Sequence, residues 1–277
     1  MIMQKISSAG LVADFFHDGT HRPRKSVLML GGSEGGCRWS QVTPVIEQLD
    51  QRGYNVLCLA YFREPGLPPS LEQIPLEYFG ESFRWLDHHP AVLPGGYALI
   101  GGSKGAELAL LLASRFPQVS AVIAFSPSHV VWQGIPRNRF QYGRQPVSSW
   151  SHGGRDVPFL PCPIYPSDWL ALATMRMEGV MSRALAELGD YPQAIIPVER
   201  AACPIMLISA VNDGLWPSTV MAEQVIGRLE ADGRGYPHQH IAVDANHATL
   251  ISNRPAWRQA FQFLERHFHA TPIHAHA

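Results

Sequence analysis

The sequence lacks an excess of charge of either sign: 22 lysines and arginines stand against 23 aspartates and glutamates, a formal net charge of −1. A chain so balanced has no field to hold a phosphate backbone or an anionic membrane surface, so no nucleic-acid partner is expected. It also lacks any apolar run near the roughly 20 residues that a bilayer-spanning helix needs. Residues 1–20 hold no basic segment followed by an apolar stretch of signal-peptide length, and a cytoplasmic protein is expected. Cysteine is sparse. Cys37, Cys58, Cys162 and Cys203 form no C-x-x-C pair, which speaks against a zinc knuckle or disulfide framework and for reduced, mostly buried thiols. Neither glycine cluster spells G-x-x-x-x-G-K-S/T or G-x-G-x-x-G, so no nucleotide cradle is expected either. The terminal "HFHATPIHAHA", with His267, His269, His274 and His276, reads as a frayed tail rather than a metal site, and no cofactor is expected.

What the chain has is apolar content and rhythm. Its 277 residues are 46% hydrophobic, enough for one domain, 1–277, with an elaboration. Strand-like runs alternate with helical ones from Ser26 to His129, the signature of crossover units on a mostly parallel sheet flanked by helices. The strands are "SVLMLGG", "YNVLCLAY", "YALIG" and "SAVIAFS". The intervening helices are "VTPVIEQLDQRG", "LEYFGESFRWLDHHP" and "AELALLLASRF". About 25 residues precede the first of these core strands. At about 127–200 the rhythm breaks into a proline-rich insertion, helical again in "WLALATMRMEGVMSRALAEL"; a long irregular segment in a compact domain reads as a lid or binding loop. Strand "PIMLISAV", helix "STVMAEQVIGRLEADG", strand "HQHIAV" and helix "PAWRQAFQFLERHF" then resume the alternation, and no internal repeat or linker divides the chain.

Gly101-Gly102-Ser103-Lys104-Gly105 fits G-x-S-x-G between a buried strand and an amphipathic helix, the setting in which a sharp turn exposes a serine hydroxyl. Without that chemistry, Ser103 would be only a capping serine. A hydroxyl needs a base to take its proton, and the base needs a third group to fix its tautomer. In open parallel sheets ligands bind outside the carboxyl ends of the strands, so acid and base should each follow a strand. Asp213 follows "PIMLISAVN" and His247 follows "HQHIAVDAN". Asp244 would crowd the His247 loop; Glu199 and Asp190 precede their strand; His238 and His240 lie at or inside one.

The oxyanion formed by attack on a carbonyl needs waiting N–H donors. The backbone amide of Lys104 supplies one, and the loop "LGGSEGG" offers Ser33 for the other, with Glu34 the next choice. Trp132, Phe140, Trp150, Phe159 and Trp169 either wall an apolar acyl pocket or form the insertion's own core. Lys104 and Arg63 are read as solvated charges, with contact to a substrate phosphate the rival reading.

With these residues placed, the sequence resembles an α/β hydrolase. More narrowly, it is similar to the C-terminal catalytic domain shared by acyl-CoA thioesterases and bile acid-CoA:amino acid N-acyltransferase. The likeness is carried by "LGGSEGG", "LAYFREPGLPPSLEQIPLEYFGESFRWLDHHP", "LIGGSKGAELALLLAS" and "IPVERAACPIMLISAVNDGLWPS", and it covers most of residues 25–265. The resemblance implies an α/β-hydrolase fold with a lid-like insertion and catalytic Ser103, Asp213 and His247. A serine nucleophile, where the amino-acid transferase has cysteine, implies hydrolysis of an acyl thioester such as acyl-CoA. A carboxylesterase or dienelactone-hydrolase-like enzyme on small esters is the alternative, and a non-catalytic hydrolase-shaped binding protein the reading from outside enzymology. Oligomeric state stays open.

Overall fold

The computed structural model describes residues 1–7, 10–20, 22–142 and 145–269. Strands β1 (Ile2–Ile6), β2 (Val12–His17), β3 (Ser26–Leu30), β4 (Asn55–Ala60), β5 (Tyr97–Gly102), β6 (Val119–Phe125), β7 (Ile205–Ala210) and β8 (His238–Val243) make one sheet in the order β1-β2-β4-β3-β5-β6-β7-β8. From β4 to β8 every neighbouring pair is parallel, while β1 on β2 and β2 on β4 are antiparallel. β3, β4 and β5 are buried along their whole length. They therefore read as continuous apolar runs instead of alternating ones.

The two faces separate residue by residue, because successive side chains of a strand point to opposite sides. Leu28 and Leu30 of β3 and Leu99 of β5 join one core with Phe79 and Phe83 of helix α2 (Leu76–His88) and Leu108 and Leu112 of α3 (Lys104–Ala113). Val27, Met29 and Ile100 join the other with Ile46 and Leu49 of α1 (Thr43–Gln51).

The sequence rhythm misses β1 and β2. β1 is an exposed edge strand buried only at Ile6, and β2 sends Phe15 into one core and Phe16 into the other. Neither therefore shows the uniform run or clean alternation by which strands are read.

Between β6 and β7 the chain builds short helices α4 (Trp169–Thr174) and α5 (Glu178–Ala186) and the strands Trp150–His152 and Arg155–Asp156, which form a three-stranded sheet with Ile74–Pro75 from just before α2. The apparent single helical run "WLALATMRMEGVMSRALAEL" is split. Met175 caps α4 in the left-handed region at φ 58°, and α5 restarts after Met177. A separate apolar cluster of Val130, Trp132, Leu160, Leu172, Met177 and Met181 holds this segment. Helices α6 (Ser218–Asp232), α7 (His247–Leu250) and α8 (Arg254–His267) complete the chain. No helix among the described residues is long and apolar enough to cross a membrane. His274 and His276 lie outside the described residues, while His267 rests against Phe263 with ring centroids 4.6 Å apart.

Cys58, Cys162 and Cys203 are buried thiols, and the half-buried Cys37 thiol donates to the Cys58 carbonyl at 3.5 Å. Burial pushes the Cys37, Cys162 and Cys203 thiols up to about 12 and Cys58 well above its ordinary value. The thiolate is the reactive form, so the folded protein at about pH 8 should react slowly with an aromatic disulfide reagent. Unfolding in guanidinium should expose all four thiols at once, whereas a rapidly titrating native thiol would contradict the packing.

Candidate active site

Ser103 occupies the single residue between β5 and α3, at φ 55° and ψ −118°. A non-glycine residue in that region is strained, by about 1–3 kcal/mol. The surroundings over-determine it. A Cβ at Gly105 would lie 2.1 Å from the Leu30 carbonyl oxygen, and one at Gly101 would lie 2.1 Å from the Gly105 carbonyl oxygen. Only glycines let α3 press this close to the strand ends. The Ser103 N–H donates to the Phe125 carbonyl at 2.8 Å, and its own carbonyl accepts from Ala106 at 2.9 Å and Glu107 at 3.1 Å.

His247 opens α7, beyond the short Asp244–Ala245–Asn246 link that follows β8. The Asn246 side chain accepts from the Ala248 and Thr249 amides at 3.1 and 2.9 Å, while the Thr249 hydroxyl accepts from the Asn246 amide at 3.1 Å. This reciprocal cap holds the four-residue helix, and with it the imidazole. His247 Nε2 lies 3.0 Å from Ser103 Oγ, and His247 Nδ1 lies 2.9 Å from each oxygen of Asp213. An ionised carboxylate can only accept, so Nδ1 carries the proton and the Nε2 lone pair faces the serine.

Asp213 stands in the loop after β7, where the Leu215 and Trp216 amides donate to Oδ1 at 3.1 and 3.3 Å. Burial alone would raise this carboxyl. The hydrogen bond and charge of His247, with bonds from Ser218 and Trp216, outweigh it and hold Asp213 below the ordinary aspartate value. The Trp216 ring meets the His247 ring edge-on, with centroids 5.9 Å apart.

The competing candidates are engaged elsewhere. Asp244 accepts from Asn212 at 2.8 Å, Glu199 pairs with Arg228 at 2.8 Å, and His240 Nε2 lies 2.8 Å from Ser209 Oγ. His238 Nδ1 lies 3.1 Å from the Tyr236 carbonyl. Asp190 sits in a short 3-10 turn, Leu188–Asp190, before β7.

Ser33, Ser103 and Lys104 line one cavity of about 90 Å³. As the first residue of α3, Lys104 has a backbone N–H with no intrahelical acceptor. The "LGGSEGG" loop is fixed from beside it: the Tyr61 hydroxyl donates to the Gly31 carbonyl, and Arg63 reaches the Ser33 carbonyl at 3.2 Å. Glu34 turns its carboxylate back to accept the Gly32 amide at 2.8 Å. Arg63 is exposed, as read from the sequence.

The Lys104 side chain departs from its expected solvated state. It is 4% exposed and paired at 2.6 Å with Glu107, itself wholly buried. Burial pulls the Lys104 ammonium down and the Glu107 carboxyl up, and each opposes the other's shift. Glu107 Oε1 also accepts from the Trp132 amide at 3.3 Å and the Trp150 indole at 2.8 Å. It thus joins α3 to the insertion. Sequence reasoning missed Glu107, although its spacing three residues after Lys104 on one helix face was a usable signal.

Of the five aromatic residues considered for a pocket wall, Trp132 lines the cavity. Trp150 belongs to the main core, Phe159 packs against that core, and Phe140 stacks on Trp169 at the surface. The wall opposite the sheet is made by Leu172, Met175, Met177, Met181 and Leu215, residues with no pattern that marks them in the sequence. On the other side of Ser103 lies a cavity of about 300 Å³ lined by Gly32, Arg38, Ser126 and His247.

Residues 74–249 match the family described as BAAT / Acyl-CoA thioester hydrolase C terminal. Human acyl-coenzyme A thioesterase 6 is 28% identical over 217 residues, covering 76% of this chain and 45% of that protein. Mouse acyl-coenzyme A amino acid N-acyltransferase 1 is 32% identical over 190 residues, covering 67% and 40%. The chain thus spans less than half the length of these two relatives. An α/β hydrolase from Penicillium sp. sh18 superposes with a TM-score of 0.63 at 15% identity, covering 96% of this chain and 98% of that one. The fold is the α/β-hydrolase fold, and the chain belongs to the BAAT / acyl-CoA thioester hydrolase C-terminal family.

Proposed function

We propose that this chain is a serine hydrolase that cleaves acyl thioesters, acyl-CoA among them, through Ser103, His247 and Asp213. One observation carries the reading: a hydroxyl, an imidazole and a carboxylate from three distant loops meet in a continuous chain of hydrogen bonds of 3.0 and 2.9 Å. His247 Nε2 takes the Ser103 proton as Oγ attacks the acyl carbonyl. The Ser33 and Lys104 amides hold the resulting oxyanion, and Asp213 stabilises the imidazolium. Collapse breaks the bond from the acyl carbon to sulfur, and His247 returns the proton to the leaving thiolate. A water then gives its proton to His247 as its oxygen bonds to the acyl carbon, and the ester to Ser103 breaks as His247 passes that proton to Oγ, releasing the acid and restoring the serine. These steps draw on protein groups and water alone.

In this reading the acyl group enters the cavity beneath the insertion at residues 127–200, and the leaving group takes the larger cavity on the far side of Ser103. The whole chain, 1–277, acts as one α/β-hydrolase unit in the cytoplasm. The small volume of the acyl cavity also suits a short-chain ester. Small-ester hydrolysis is therefore the second reading, and it uses the same residues.

A fluorophosphonate probe should modify the protein once, at Ser103, with no adduct on Ser103→Ala, as read by intact mass. The same substitution should lower kcat/KM by about 10⁴-fold or more. Acyl-CoA and p-nitrophenyl ester panels compared by kcat/KM separate the two readings. An unmodified Ser103 with no turnover on either panel would instead favour a binding protein.

The Asp213 carboxyl has a second readout. Its folded-state value lies below the unfolded one, so its ionised form contributes stability above the unfolded pKa of about 3.9. That contribution disappears as the pH falls through the folded value. Asp213→Asn should lower kcat by about 10²–10⁴-fold. Its urea midpoint should trail that of the wild type near pH 7, and the gap should narrow steadily as the pH falls below about 4; a gap that stays constant would remove Asp213 as the linked group.

A further inference from the structure

Helix α4 turns an apolar face to solvent. Its Leu172 points inward, into the cluster that holds the insertion, and lines the cavity beside Ser103. At about 100° of turn per residue, Trp169, Ala173, Leu170 and Thr174 fall on the opposite arc, and all four are exposed. Leu170 is 75% exposed and Trp169 41%. The one polar member of the arc spends its donor within the helix, since the Thr174 hydroxyl bonds to the Leu170 carbonyl at 2.7 Å.

Neighbouring segments extend this face. Phe140, 44% exposed, stacks on Trp169 with ring centroids 5.9 Å apart, and Tyr165 and Met175 are exposed at either end of α4. From Tyr165 to Met175 the chain holds one charged residue, Asp168, which is buried and paired with Arg183 at 2.6 Å. The segment therefore meets water without an exposed charge. Single apolar residues on a surface are ordinary, whereas a contiguous group marks a binding face.

The size of the face decides between occupants. Exposed fractions of 41–75% on side chains of about 150–250 Å² leave on the order of 500 Å² at Phe140, Tyr165, Trp169, Leu170 and Met175. A specific protein interface needs about 800 Å² per partner, so a second copy or another protein finds too little here. A lipid surface sets no such threshold. It accepts apolar side chains about 5–10 Å deep and seats Trp and Tyr rings at the headgroups. A net charge of −1 gives no long-range pull toward an anionic membrane, so the contact is apolar and short-ranged and suits electrically neutral lipid. Leu172 and Met175 line the cavity, which puts the face about one helix diameter, roughly 10 Å, from it.

We propose that the outer face of α4, with Phe140 and Tyr165 beside it, docks this protein on the surface of neutral lipid and so presents the cavity beside Ser103 to acyl chains dissolved there. The docking stands apart from the hydrolase reading; the presentation of acyl chains rests on it.

Flotation of the native chain with phosphatidylcholine vesicles tests the docking. About half of the protein should float at about millimolar lipid. That fraction should hold steady as salt rises from about 0.05 to about 0.5 M. Trp169→Ser combined with Leu170→Ser should raise the lipid needed by about tenfold or more, with the native circular dichroism retained. Val220→Ser, which removes a 52% exposed side chain from α6, should float like the native chain. A further reading needs no variant. Trp169 is the one exposed tryptophan of the seven, so vesicles with brominated acyl chains should quench part of the native fluorescence.

No flotation at about 10 mM lipid, unquenched fluorescence, or equal flotation by the double variant would each overturn the proposal. Flotation confined to anionic vesicles at low salt would also overturn it, because charge would then be the cause. A dimer in sedimentation that the double variant loses, with no flotation of either chain, would give the face to a second copy instead. Ser103→Ala should float like the native chain. Flotation without turnover sinks only the hydrolase reading, and turnover without flotation sinks only the docking.

Discussion

Everything at this site depends on how closely α3 approaches the ends of β3 and β5. At 2.1 Å from neighbouring carbonyl oxygens, the space beside Gly101 and Gly105 has no room for a methyl group. Because the helix starts against the strands, the connection between them shrinks to one residue, and that residue must take a positive φ. The strain of about 1–3 kcal/mol in Ser103 is a result of this packing, held in place by three backbone hydrogen bonds. The same geometry places the first N–H of α3, that of Lys104, beside the serine with no partner of its own. A tight helix-to-sheet contact thus yields both an exposed hydroxyl and a free amide.

A second constraint ties the roof of the site to its floor. The Lys104–Glu107 pair is fully buried, and a buried pair repays its desolvation only when its remaining hydrogen-bonding capacity is used. Glu107 meets that condition by accepting from the Trp132 amide and the Trp150 indole, both contributed by the insertion. Loss of either partner would leave an uncompensated charge in the core. The insertion is therefore fastened to α3 by an interaction that cannot be lost piecemeal. Trp132 reaches the cavity wall from that anchor point.

The three side chains that the structure brings together were legible as candidates because each is tied to local grammar. Ser103 sits in a five-residue turn whose glycines have a steric reason, and Asp213 and His247 each follow a strand whose apolar run is unmistakable. The central strands were legible for the same reason, since burial on both faces leaves an uninterrupted apolar record. β1 and β2 were not: an exposed edge strand and a strand that splits its phenylalanines between two cores carry no such record. The burial of Lys104 was hidden because a lysine at a helix start is ordinarily solvated, and only the insertion folded over it makes it otherwise. The methionines of the pocket wall and the break of the α4–α5 run at Met175 were equally invisible.

By itself the sequence determined the strands β3 to β8 and the long helices between them, the turn at Ser103, the candidate acid and base, and the family likeness. All of these follow from residues close together in the chain or from periodicity within one element. Only the tertiary structure decided which carboxylate faces His247, which charges are buried, and which side chains enclose the cavity beside Ser103. Those are contacts between residues tens to more than a hundred positions apart, such as Ser103 and His247, and no local pattern encodes the distance between them.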